Sequence, residues 1–348
     1  MYTRIIIIVA LILLMGGCTS LDIKDFEAWQ TVELEMSELA PTKEQLAAFA
    51  TKPKVVVANF REPQEPRVRE ISSLANLAST LMGTTEKYLT DAGIEAISRD
   101  EAQKLLGEVQ IAEQKDKVGG YTGPIIAQYV IVGHIESVDT SVEFQEASEY
   151  YTKKGERIYT PPKCKYKASM IGTVRVYTVP QLRIAKSVKM QGTDNTSEDS
   201  KGNCENNPAN LTALIRKAGD DALYDASTKF QNFFAPQGYI IEMRRSPNGK
   251  NYIIKVTIGS NRGLKRGKKV EVFTKTLQKN PFTGESTEEE RKVTTGRVTD
   301  QVGESYAWIM LDEPELANRL KIGDYVKMKF EKSWLRRIGG ELQEKLHL

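Results

Sequence analysis

Histidine and cysteine are scarce in this chain: two histidines and three cysteines in 348 residues. Neither His134 nor His347 sits at ligand spacing from a cysteine, so a zinc-type metal site is not expected. There is no G-x-S-x-G, no P-loop and no H-E-x-x-H, which removes the motif-bearing hydrolases, nucleotidases and metalloproteases. The pairs Gly119-Gly120 and Gly339-Gly340 are too generic to cradle phosphate. With no catalytic constellation, neither enzymatic activity nor a cofactor is expected. Dense Lys/Arg tracts are also missing and the net charge is only +3, so nothing argues for nucleic-acid binding. Acidic runs such as Glu288-Glu289-Glu290 are solvated faces. Beyond the first residues, no apolar run is long enough to cross a bilayer as a helix.

The N-terminus is where the sequence is most explicit. Arg4 is the lone charge before Cys18, and Ile5 to Met15 contains no polar residue. A short basic region, an apolar stretch and small residues before a cut site make a secretory signal. Leu14-Met15-Gly16-Gly17-Cys18 resembles the lipobox of bacterial lipoproteins, with Met15 standing where Leu is usual. Residues 1–17 are therefore read as a lipoprotein signal peptide and Cys18 as the lipidated residue, whose acyl chains hold the protein to a membrane. An uncleaved anchor helix is the rival reading. Thr19 follows the cysteine, where aspartate would favour inner-membrane retention in enteric-type sorting, so an outer-membrane anchor facing the periplasm is expected.

If Cys18 carries lipid, Cys164 and Cys204 remain as a pair in an oxidising compartment. A Cys164–Cys204 disulfide would tie together one irregular hairpin region; two free thiols are the alternative. Overall, 40% apolar and 27% charged residues describe an ordinary globular chain.

Hydrophobic patterning divides the mature chain. Residues 18–52 are polar and mixed, with a short helix over Thr42–Phe49, and read as a lipidated tether and adaptor that gives slack. Residues 53–234 carry the order strand, helix, strand, helix, strand, strand, strand, helix, an α/β domain. Its strands are Lys54–Phe60, Ile94–Ile97, Ala127–Val138, Ser169–Tyr177 and Arg183–Gln191. Its helices are an apolar stripe from Ile71 to Leu89, a second opened by the capping box Ser98-Arg99-Asp100-Glu101, and a third begun by Asn207-Pro208. His134 falls within a strand and reads as a hydrogen-bonded structural histidine. Residues 235–331 show short strands at close spacing, the pattern of a small barrel. Gly263–Phe273 and Arg319–Phe330 echo one another: each is a leucine-containing turn with glycine, then an alternating strand. Residues 332–348 form an amphipathic helix carrying Trp334.

Three stretches together resemble the CsgG-type (curli secretion/TolB N-terminal-like) domain: Lys54–Phe60, Gly93–Asp100 with Leu105-Leu106-Gly107-Glu108, and Ala127–Ile135. Ala168–Gly192 continues the match, and the C-terminal part is similar to the barrel of the flagellar protein FlgT. The resemblance implies an α+β protein, a CsgG-like α/β domain followed by a small SH3-like barrel, with a tendency to form rings. The pore of the curli channel does not carry over. Glu143, Glu146, Glu149, Lys153, Lys154, Glu156 and Arg157 break the alternation a membrane strand requires. Tyr150, Tyr151 and Tyr159, aromatics among charges, and Trp334 are the expected interface residues. The resulting expectation is a non-catalytic structural or assembly subunit of an envelope complex, flagellar or secretion-related. Its partners would be the membrane through its lipid, other envelope proteins and further copies of itself. A curli-type pore subunit and an activator of a cell-wall synthase are the rivals.

Overall fold

The computed structural model describes residues 21–63, 74–115, 120–200, 204 and 208–332. Residues 1–17, read above as a signal peptide, Cys18, and Trp334 with the rest of the tail lie outside them. The described residues form two compact units: those within 51–235 together with 330–332, and those within 236–329 together with 21–50.

That N-terminal stretch is not slack. A short strand β1 (Gln30–Val32) and a helix α1 (Lys43–Ala50) belong to it. Thr42 caps α1 through a capping box: its Oγ1 accepts from the Gln45 amide and the Gln45 side chain accepts from the Thr42 amide.

The α/β unit follows in chain order. It comprises β2 (Lys54–Val57), α2 (Leu74–Asp91), β3 (Glu95–Ile97), α3 (Gln103–Lys115), β4 (Tyr129–Gln145), β5 (Ser148–Tyr151), β6 (Arg157–Thr160), β7 (Lys163–Thr178), β8 (Ile184–Asp199) and α4 (Pro208–Phe233). Five strands make one sheet in the order β3-β2-β4-β7-β8. β2 runs parallel to β3 and β4, and the remaining pairs are antiparallel. β2 is apolar on both faces because both are roofed: Val55 and Val57 face α2 and α4, while Val56 faces α3. On the first face Leu77, Leu81 and Leu89 of α2 meet Leu214, Leu223 and Phe230 of α4. Each such side chain contributes about 1.5–3 kcal/mol on burial. α4 lies directly on β8. A Cβ at Gly192 would stand 2.2 Å from the Ala218 carbonyl oxygen, so glycine sets that approach.

Two sequence expectations change here. The capping box at Ser98 does not form: the Ser98 hydroxyl accepts from the Asp100 amide two residues on, and the helix begins at Gln103. A local serine turn has displaced the helix start. The central strand expected to end at Val138 runs on to Gln145, because β7 supplies paired backbone along its whole length down to Gln145↔Lys163. Its charges sit on a solvated face, as an antiparallel pair allows.

The second unit continues with β9 (Gln237–Arg245), β10 (Tyr252–Val256), β11 (Lys269–Lys279), β12 (Ser286–Val302), β13 (Ala307–Leu311) and β14 (Tyr325–Met328). These six strands close in the order β9-β10-β13-β12-β11-β14, with β14 pairing back onto β9 at Tyr325↔Tyr239. The two echoing segments are neighbours in it, Val272 opposite Val326. β1 adds onto the other half of the same β9 edge, Thr31 opposite Arg244. The segment before β1 covers the outer face of β10 and β13. Ile23 packs with Ile253 and Trp308, and the Arg244 guanidinium lies 4.5 Å from the Phe26 ring centroid. Leu21 accepts from the Asp300 amide, and Ser37 and Ile322 bridge the strap further along. What read as a polar tether is fastened because its few apolar residues, Ile23, Phe26 and Trp29, have a face to cover.

Candidate functional site

Cys164 and Cys204 are joined in the structure, with a Cα–Cα separation of 5.4 Å. Cys164 opens β7 and is buried, in register with Phe144 of β4 and Glu198 of β8. Cys204 is partly buried against the same core as Tyr166, Ala168 and Leu211. The bridge therefore fastens the connection between β8 and α4 to the end of the three long strands.

Past that staple the chain makes a separate two-stranded ribbon from β5 and β6. Its cross-strand partners are Glu149↔Tyr159, Tyr150↔Ile158 and Tyr151↔Arg157. Residues directly opposite share a face and alternate residues point to opposite faces. Tyr151 and Tyr159 therefore lie on one side, with the Arg157–Glu149 ion pair (2.8 Å) between them. Tyr150 and Ile158 lie on the other. None of the four is buried: Tyr150 is 56% exposed, Tyr151 66% and Tyr159 57%. The sequence-predicted tyrosines are thus brought together, on two faces of one ribbon.

A second feature escaped the sequence reading. Glu113, on α3, has a side chain only 3% exposed. Its Oε1 accepts from Tyr177 Oη at 2.6 Å of β7 and contacts His134 Nε2 at 3.1 Å of β4. Its Oε2 pairs with the Arg61 guanidinium, from the segment that leaves β2. Burial raises the Glu113 carboxyl, but the His134 and Tyr177 hydrogen bonds and the nearby positive charge outweigh it and leave the group below its ordinary 4.5. Burial, then the bond to Glu113, pushes the Tyr177 hydroxyl up to about 12. The signal was present in the sequence: Glu113 falls at four-residue spacing after Leu105 and Val109, on the apolar stripe of its helix. A carboxylate there requires partners. His134 is hydrogen-bonded, and the cluster cross-braces a helix and three sheet segments. Its polar groups are committed to one another.

Among the described residues no group of three or more His, Cys, Asp or Glu could hold a metal ion, and no helix is long and apolar enough to cross a membrane.

No protein family matches the sequence, and no curated protein does. Among solved structures the chain is similar to a hypothetical protein from Chlamydia trachomatis, with 12% identity, 53% of this chain and 98% of that one covered, and a TM-score of 0.28. It is also similar to a minor lipoprotein from Acinetobacter baumannii, with 8% identity, coverage of 52% and 94%, and a TM-score of 0.23. A PelC dodecamer from Paraburkholderia phytofirmans is similar over 56% of this chain and 97% of that one, at 14% identity and a TM-score of 0.18.

Proposed function

We propose that this chain is a lipid-anchored, periplasm-facing and non-catalytic scaffold subunit of an envelope complex, held to the outer membrane through Cys18. A CsgG-like ancestry for the α/β unit and a FlgT-like one for the barrel belong to the same reading. The observation that carries it is the β5–β6 ribbon. An isolated two-stranded hairpin is marginal in water, yet this one spends Tyr150, Tyr151, Ile158 and Tyr159 on solvent. Tyrosine anchored in a polar rim is the composition of protein interfaces. Aromatics on both faces suit contacts made on two sides, as when one copy sits between neighbours in a closed assembly.

The anchor has a geometric consequence. Leu21 is bonded to the barrel and Cys18 is three residues away, a reach of about 10 Å at full extension. Acylation at Cys18 would hold the barrel against the membrane surface with no free tether. Palmitate labelling tests the anchor: it should vanish in Cys18→Ala, with loss from the membrane fraction. Electron microscopy of the gently extracted full-length protein tests the assembly. Closed oligomers or a larger complex are expected, dispersing when Tyr150, Tyr151 and Tyr159 are replaced by Ser. A monomer in native extracts, giving no cross-link from a photoreactive residue at Tyr151, would sink the reading.

A further inference from the structure

β2 is a topological switch point. The chain leaves β2 for α2 on one face of the sheet, and leaves β3 for α3 on the other. In open sheets such a point opens a crevice beyond the carboxyl ends of the parallel strands, where ligands bind. A crevice of about 510 Å³ is present there, between the segment after β2, the turn after β3 and the exposed side of α3. That size suits a small organic ligand.

Its polar lining is two guanidinium groups, Arg61 and Arg99, three side-chain amides, Asn59, Gln103 and Gln110, and one carboxylate, Asp100. Arg61 is held by Glu113, which Tyr177 and His134 fix in turn, so its orientation is set before anything binds. Arg99 donates to the Asn59 side chain at 2.6 Å, and no carboxylate pairs with it among the described residues. It is exposed, with the rest of its planar fork available for a bidentate carboxylate. The first turn of α3, at Gln103, adds the positive end of a helix dipole. Asp100 and the amides make the wall zwitterionic and rich in donors and acceptors. A bare inorganic anion would leave those groups unmatched, whereas a peptide chain with a free terminal carboxylate would satisfy them.

We propose that this crevice binds the free carboxyl terminus of a short peptide, with Arg99 as its direct contact and Asp100 and the amides of Gln103 and Gln110 on the peptide groups behind it. The inference is independent of the scaffold reading, since no residue of the ribbon takes part.

The test is a titration of the folded protein, followed by amide NMR shifts, with the dipeptide alanyl-alanine, its C-terminal amide and inorganic phosphate. Saturable shifts confined to residues 58–61 and 99–110 are expected for the dipeptide, with at least tenfold weaker binding of its amide and of phosphate. Arg99→Gln should weaken the dipeptide at least tenfold while leaving the unfolding midpoint unchanged, as expected of an exposed side chain. Gln110→Ala, also exposed, should weaken it by a smaller factor and serves as the second probe. Absence of saturation, undiminished binding in both variants, or phosphate binding as tight as the dipeptide would overturn the proposal.

Discussion

The two faces of the five-stranded sheet are built differently. One is roofed by α2 and α4 over a continuous apolar layer in which Leu81, Leu89, Met170, Leu223 and Phe230 are fully buried. The other is roofed by α3 alone, over a smaller layer centred on Val56, Leu105 and Val130, and it admits the ionic cluster around Glu113 at its margin. The difference teaches where a fold can accept polar chemistry. The wide face supplies the burial that offsets chain entropy. The narrow face, half-open beyond the strand ends, lets arginines and amides reach solvent.

That division can be broken first on the wide face. Phe230→Ala is expected to destabilise the α/β unit by about 3–5 kcal/mol through lost burial and a residual cavity, read as a lower urea midpoint. The disulfide belongs to the same face. Replacing Cys164 and Cys204 together with Ala, a sequence separation of 40, should cost about 2–4 kcal/mol, and a reductant should reproduce the loss in the native protein. On the narrow face Glu113→Ala removes the acceptor of the Tyr177 hydroxyl and frees Arg61, for a smaller cost of about 1–3 kcal/mol. That loss should not add to Tyr177→Phe, because the two share one hydrogen bond.

The same cluster sets a pH signature. Glu113 is depressed in the folded protein, so its stabilisation is present above about pH 4.5, its ordinary value, and is lost as pH falls through the lower folded value. Tyr177 is raised, so its contribution is complete below pH 10.0 and lost as pH rises through about 12. Unfolding midpoints against pH should show both limbs in the native protein. Glu113→Gln should flatten the acid limb and Tyr177→Phe the alkaline one; unchanged limbs would remove the cluster from the titration. The smallest effect on stability belongs to the ribbon. Tyr151→Ser should move the midpoint by less than about 0.5 kcal/mol, since the side chain touches no core, and should register in assembly alone.

Much of this architecture is written locally. Alternation in Ser169–Tyr177, the stripe of α4 and the glycine turns of the barrel each announce an element, because period and turn chemistry act over a few residues. Thr42 and Gln45 form a capping box that the sequence reading did not single out, whereas Ser98 and Glu101 do not. At Ser98 the hydroxyl is taken by the Asp100 amide two residues on, and the helix starts only at Gln103. The length of β4 was equally illegible, since Glu143 and Gln145 have no strand signal apart from the backbone of β7 beside them. The strap from Leu21 to Ser37 looked like a tether because its partners, Asp300, Trp308 and Ile322, are far along the chain.

By itself the sequence determined the lipobox-like pattern ending at Cys18, the two further cysteines, the alternation of strands and helices, and the cluster of tyrosines between Tyr150 and Tyr159. These are properties of contiguous residues. The tertiary structure alone decided that the tyrosines occupy two faces of one ribbon, that the barrel closes with six strands, and that Arg61, Glu113, His134 and Tyr177 meet. Those outcomes depend on register and on contacts between residues as far apart as 113 and 177, which no local pattern encodes.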